Sequence, residues 1–176
     1  MADLQNLEAA IQSPALKTVY AHWQQARGAR PMPAWREIDP TAIGRYLPKV
    51  WAWRFDVAQN TFIGRLAGED ILAVMQHSMR GRRFADCFPA ATAVALEALY
   101  RKVIDGPAIM RATGRVYVQT GKHGWGERIM LPLAGDGVTG DGVLGVTDYR
   151  LNAGGRSGVD TATDLAGEEI TFYPLT

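Results

Sequence analysis

Residues able to do chemistry are sparse in this chain, and few stand at a working spacing. Cys87 is the only cysteine, and the histidines are His22, His77 and His123. A single thiol excludes an intramolecular disulfide and argues against a cysteine-based zinc site. His123 and Glu127 are four apart, but in a turn and a strand, where that spacing does not bring two ligands to one helical face. Ser13, Ser78 and Ser157 lie in no G-x-S-x-G setting. The paired acids Glu168 and Glu169 fall in a tail, away from any core strand end. Gly135-Asp136-Gly137-Val138-Thr139-Gly140 satisfies G-x-G-x-x-G, yet it leads from one strand into another. No helix N-terminus follows to hold a pyrophosphate, and the Asp-Gly pairs suit a hairpin turn. Gly121-Lys122 lacks the upstream glycine and the following Ser or Thr of a P-loop. Arg80, Arg82 and Arg83 around Gly81 have the chemistry for a phosphate-bearing ligand, but a solvated turn is the preferred reading. No nucleophile, base and orienting group come together, so an enzyme is not expected.

What remains is the chemistry of binding. Trp51, Trp53 and Phe55, with Phe62 or Ile63 and with Met75, Phe84 and Leu99, would line a pocket suited to an apolar or flat ligand. Arg65, Arg111 or Arg115 would then supply a polar anchor. The same residues also make a plain filled core, with those arginines turned to solvent or to a partner. Alternation alone leaves open which face of the sheet is inward.

The elements that must position these residues are more legible. Lys49 to Phe55 sets Trp51, Trp53 and Phe55 on one side and Val50, Ala52 and Arg54 on the other, the mark of a strand. Asp56 to Asn60 is a polar turn, and Thr61 to Ala67 completes a hairpin. Gly68 breaks the strand. Glu69 and Asp70 favour a helix start, and Ile71, Leu72, Val74 and Met75 supply a short apolar helix. Gly81 marks a turn before Phe84, Cys87, Phe88 and Pro89, where Cys87 reads as a small buried apolar residue. Ala90 to Asp105 is a helix with Ala91, Val94, Ala95, Ala98, Leu99 and Val103 at three- and four-residue spacing, stopped by Gly106-Pro107. Strands follow at Ala108 to Gln119, Trp125 to Ala134 and Val143 to Leu151, with a turn over Thr120 to Gly124. The predicted class is α+β: a five-stranded antiparallel sheet with short helices on one face.

Residues 1–46 form an N-terminal helical arm. Asp3 caps a first helix carrying Leu4, Leu7 and Ile11. Ser13-Pro14 starts a second, with Leu16, Val19, Tyr20 and Trp23 on one face and Gly28 at its end. That apolar stripe must lie either on the arm's own domain or in a dimer interface. Asp39-Pro40 opens a short helix through Ile43 and Tyr46. Residues 47–151 form the sheet domain. Residues 152–176 combine a Gly-, Ala-, Asp- and Thr-rich linker with EEITFYPL, a short strand or a segment docked on the domain.

This order resembles a PAS domain, and FIGRLAGEDILAVMQHSMRGRRFADCFP is similar to the PAS passage from second strand through the short helices. The fuller pattern resembles a bacterial family of stand-alone PAS-like proteins. Its marks are the arm with Trp23, the IDP at Ile38 to Pro40, the RLAG at Arg65 to Gly68 and the LPL at Leu131 to Leu133. The likeness runs from Leu16 to Leu151. It implies a sensory or regulatory domain that binds a small ligand, or a ligand-free dimerisation module. Its cofactor remains unknown. Haem is disfavoured because Ala90–Asp105 holds no histidine. Covalent flavin photochemistry is disfavoured because Cys87 stands several residues late in GRRFADCFP. The implied partners are a second copy or a signalling protein, met through the N-terminal helices.

The near balance of charge, +1 overall, sets up no field towards nucleic acid or anionic lipid. No apolar run approaches the length of a membrane span. The first residues, MADLQNLEAAIQS, carry acid and lack the apolar core of a signal segment, so a cytoplasmic location is expected.

Overall fold

The computed structural model describes residues 2–116, 124–151 and 167–175. Residues 120–123 of the turn expected at 120–124, with Gly121, Lys122 and His123, and most of the linker, with Ser157, lie outside the described residues, while Gly124 already belongs to a strand. The arm consists of α1 (Ala2–Ala10), α2 (Pro14–Arg27) and a short α3 (Pro40–Ile43). The hairpin β1 (Val50–Asp56) and β2 (Thr61–Ala67) leads into α4 (Glu69–Met75), α5 (Phe84–Cys87) and α6 (Ala90–Ile104). β3 (Ala108–Val116), β4 (Gly124–Leu133) and β5 (Gly142–Leu151) follow, and β6 (Glu168–Pro174) closes the chain.

Local signals explain the boundaries. Ser13 Oγ accepts from the Ala15 and Leu16 amides with Pro14 at the first helical position, and Gly28 ends α2 at φ 55°. Asp39 caps α3 in the same way through the Thr41 amide. α1 begins at Ala2, ahead of the Asp3 expected to cap it.

The sheet has six strands in the order β2-β1-β5-β4-β3-β6, with every neighbouring pair antiparallel. The five expected strands are all present, and EEITFYPL adds the sixth by pairing with β3 from Ala108↔Pro174 to Gly114↔Glu168.

Both faces of the sheet are covered. On the inner face, α4, α5 and α6 pack over Trp51, Trp53, Phe62, Met110, Ala112, Met130 and Val143. On the outer face, α1, α2 and the link between them lay Leu7, Ile11, Leu16, Val19 and Trp23 over Val50, Ala52, Ile109, Ile129, Leu131, Leu144 and Val146. The apolar stripe of the arm is therefore spent on its own sheet, and Trp23 Nε1 anchors it by donating to Pro132 O at 2.9 Å.

The face of α6 differs from expectation. Thr92, Ala93, Leu96, Leu99, Tyr100, Val103 and Ile104 are buried, while Val94 is 70% exposed. Leu96, Tyr100 and Ile104, four apart, carry far more apolar area than Ala91, Ala95 and Ala98, so their side of the helix turns inward.

Candidate functional site

The alternation of β1 brings Trp51 and Trp53 to the inner face, where α5 and α6 meet them with more aromatic rings. Trp53 lies 4.2 Å from Phe84 between ring centroids, Trp51 lies 5.7 Å from Tyr100, and Phe84 lies 4.8 Å from Tyr100. Phe62 on β2 joins the group at 5.7 Å from Phe84 and 5.3 Å from Tyr100. Tilted and edge-on contacts at such separations suit the aromatic quadrupoles. Trp51 is seated by a glycine. It stands opposite Gly145 on β5, and a Cβ there would come within 2.1 Å of its ring. Its indole Nε1 donates to Thr147 Oγ1 at 2.9 Å.

A cavity of about 40 Å³ remains among these side chains, lined by Trp51, Trp53, Ile71, Met75, Met79, Phe84, Phe88, Leu96, Tyr100, Arg128 and Thr147. That volume has room for about three waters at most. Its one charged wall is Arg128, 7% exposed, whose Nη1 lies 3.4 Å from Glu168 Oε1 on β6. The arrangement offers apolar and aromatic contact with a single buried cation, which is the chemistry of holding a small molecule.

Trp51, Trp53, Met75 and Phe84, four of the expected lining residues, meet at this cavity. Leu99 is buried in the same layer without lining it. Phe55 stands at the edge of the layer, edge-on to Phe62, with the Arg101 guanidinium 3.8 Å above its ring. The three expected anchors lie elsewhere. Arg65 falls at a bulge between the paired Gly64 and Leu66, is exposed, and sits 6.0 Å from the Trp35 ring. Arg111 is on the outer face, bound through Nε to Glu127 Oε1 at 2.7 Å. Arg115 is exposed near the end of β3, its amide donating to Gly167 O at 3.1 Å. In the basic turn, Arg80, Arg82 and Arg83 are all exposed, and Arg83 pairs with Asp86 at 2.9 Å. Cys87 is a free, half-buried thiol, and burial pushes its pKa up, away from the thiolate.

The sequence does not single out Arg128, because β4 is apolar on both sides over Ile129 to Leu133 and its alternation gives no sign of which side is inward. Strand pairing supplies that sign: Arg128 is opposite Ala112 and Thr147, both buried.

A second polar cluster joins the arm to the sheet. Glu127, 7% exposed, accepts from the Gln12 and Ser13 amides at the start of α2. Ser13 Oγ donates to Asp148 at 2.6 Å, and Lys49 Nζ bridges Asp148 at 2.8 Å and Asp70 at 3.3 Å. Burial of Asp148 opposes its charge, but Lys49 and Ser13 outweigh it and hold the carboxyl below the usual range. Tyr149 Oη donates to Asp70 O at 2.6 Å. A chain of polar contacts thus runs from α4, whose Ile71 and Met75 line the cavity, to the N-cap of α2.

No group of histidine, cysteine and acidic side chains suited to a metal occurs among the described residues. Among them, too, no helix is long and apolar enough to cross a membrane. A family model described as a PAS domain matches residues 11–148, a span that takes in α2 and all of the sheet except β6 and the C-terminal end of β5. No curated protein and no solved structure matches the chain.

Proposed function

Because the chain belongs to the PAS domain family, we propose that it is a non-enzymatic sensory or regulatory domain whose inner cavity takes a small, largely apolar ligand. The carrying observation is the aromatic-walled cavity with buried Arg128 on one side. Ligand sites generally run to roughly 300–1,000 Å³, against about 40 Å³ here. Binding therefore requires the walls to yield, and the flexible thioethers of Met75 and Met79 are suited to that. A ligand that favours the opened arrangement shifts the population towards it. Displacement of α4 reaches the arm through Asp70, Lys49, Asp148 and Ser13, and a second copy or a signalling protein reads the outer side of the arm.

Native mass spectrometry of the full chain purified from cells tests this reading. The expected spectrum carries a discrete adduct that is lost on denaturation. A bare chain mass under both conditions, with no added small molecule shifting the melting temperature, would sink it.

The small volume favours a second reading: a filled core and a pure interaction module. That reading expects a bare chain together with a dimer mass in light scattering. A bare monomer at all accessible concentrations counts against it.

A further inference from the structure

Strands β4 and β6 bring opposite charges from distant parts of the chain into the inner layer. Arg128 lines the cavity, and the Glu168 side chain is only 2% exposed. β3 runs between them, and at the level of the two charges its inner face offers Ala112, opposite Arg128, and Gly114, opposite Glu168. Neighbouring strands are about 4.8 Å apart, so the arginine has to reach across β3, and those small residues leave the path open. Gly114 is also needed for the close approach of β6, since a Cβ there would come within 2.1 Å of Gly167 O.

The carboxylate is incompletely held. Oε1 is 3.4 Å from the guanidinium, and Oε2 is buried with no hydrogen-bond partner among the described residues. Burying two charges carries a desolvation cost that only close and fully hydrogen-bonded pairing offsets.

Beyond its Cα, Glu168 is a tethered propionate. We propose that Arg128 is the anchor for a free short-chain carboxylate such as butyrate, that Glu168 is its built-in competitor, and that binding expels Glu168 and loosens β6. The ligand carboxylate takes the guanidinium in a charge-assisted pair, and its alkyl tail lies against Trp51, Trp53, Met75 and Phe84. The site is thus coupled to the C-terminal strand, because the start of β6 is held by the Glu168 contact and by the bond from the Arg115 amide to Gly167 O. This inference rests on the cavity being a ligand site.

The test uses the full chain, butyrate and its neutral isostere butyramide, followed by titration calorimetry and by hydrogen exchange of the β6 amides. Expected are saturable butyrate binding, butyramide at least about tenfold weaker, and faster β6 exchange with butyrate alone. Glu168→Gln, which removes the competing charge with little change of shape, should tighten butyrate by about tenfold. The apolar pair Arg128→Met with Glu168→Leu removes both charges of the pair together, and it should bind acid and amide alike. Equal binding of butyrate and butyramide by the unaltered chain overturns the anchor and leaves the cavity reading intact. Butyrate binding without faster β6 exchange, or no tightening in Glu168→Gln, overturns the displacement. Binding of neither probe overturns the inference, and the native mass spectrum then decides separately whether the cavity takes another ligand.

Discussion

Trp53 is 2% exposed and packs on Phe84, so Trp53→Ala removes a large ring from a close-packed layer. The expected loss is about 3–5 kcal/mol of unfolding free energy, read from urea unfolding; a midpoint equal to that of the unaltered chain would show that the layer collapses around the deletion at no cost. A charged residue gives a test of a different kind. Hydrogen bonds from the Arg83 side chain and amide hold the Asp86 carboxyl down to about 2. An aspartate in the unfolded chain titrates near about 4, so the stabilisation from this pair is fully present above that value. It is lost as pH falls through the folded value. The NMR titration of the Asp86 carboxyl should have its midpoint near about 2, whereas a midpoint near about 4 would mean that the bridge to Arg83 does not form in solution. Single residues were unevenly legible in the sequence. The tryptophans announced themselves, because an alternating run with large rings on one side admits few other readings. The arginines did not: alternation lets Arg65, Arg111 or Arg115 anchor a pocket or face solvent, and only the pairing of β4 with β3 and β5 shows that Arg128 points in while Arg111 points to the arm.

At the scale of elements, the junction of α1 and α2 rests on Glu127. Its carboxylate takes the Gln12 and Ser13 amides and the Arg111 side chain together. Glu127→Ala leaves a nearly buried guanidinium and the amides of a helix start without their acceptor, and should destabilise by about 3 kcal/mol. Glu127→Gln should lose less, since it keeps an acceptor. Equal melting temperatures for Glu127→Ala and the unaltered chain would show that solvent replaces the carboxylate fully. The caps at Ser13 and Asp39 could be read from the sequence because they obey local chemistry: an acceptor side chain followed by proline. The Glu127 clasp could not, because its partners are far apart in the chain and meet only once the arm has packed. Leu99 and Val103 are buried as their spacing predicts, but the rest of the α6 face escapes the sequence for a related reason. Alanines fit the helical spacing as well as leucines do, but the larger side chains decide which side is buried.

The whole molecule is a sheet enclosed on both sides, with helices α4 to α6 on one face and the arm on the other. Removing residues 1–28 would uncover Ile109, Ile129, Leu131, Leu144 and Val146, all at 3% exposure or less. The shortened chain should leave size-exclusion columns as aggregate; a monomeric peak with native near-ultraviolet dichroism would mean that the sheet tolerates a bare outer face. The general architecture was readable from the order of strands and helices, apart from β6, whose docking depends on a partner strand distant in the chain. Enclosure has a further consequence for how the strands find their alignment. In a sheet with one wet face, sliding a strand by one residue throws its apolar side chains into water, and that penalty alone fixes the pairing. Here a slipped strand would exchange one oily surface for another. Alignment must instead be keyed by shape: the Trp51 indole fits only where β5 presents the bare backbone of Gly145, a notch cut for one tooth.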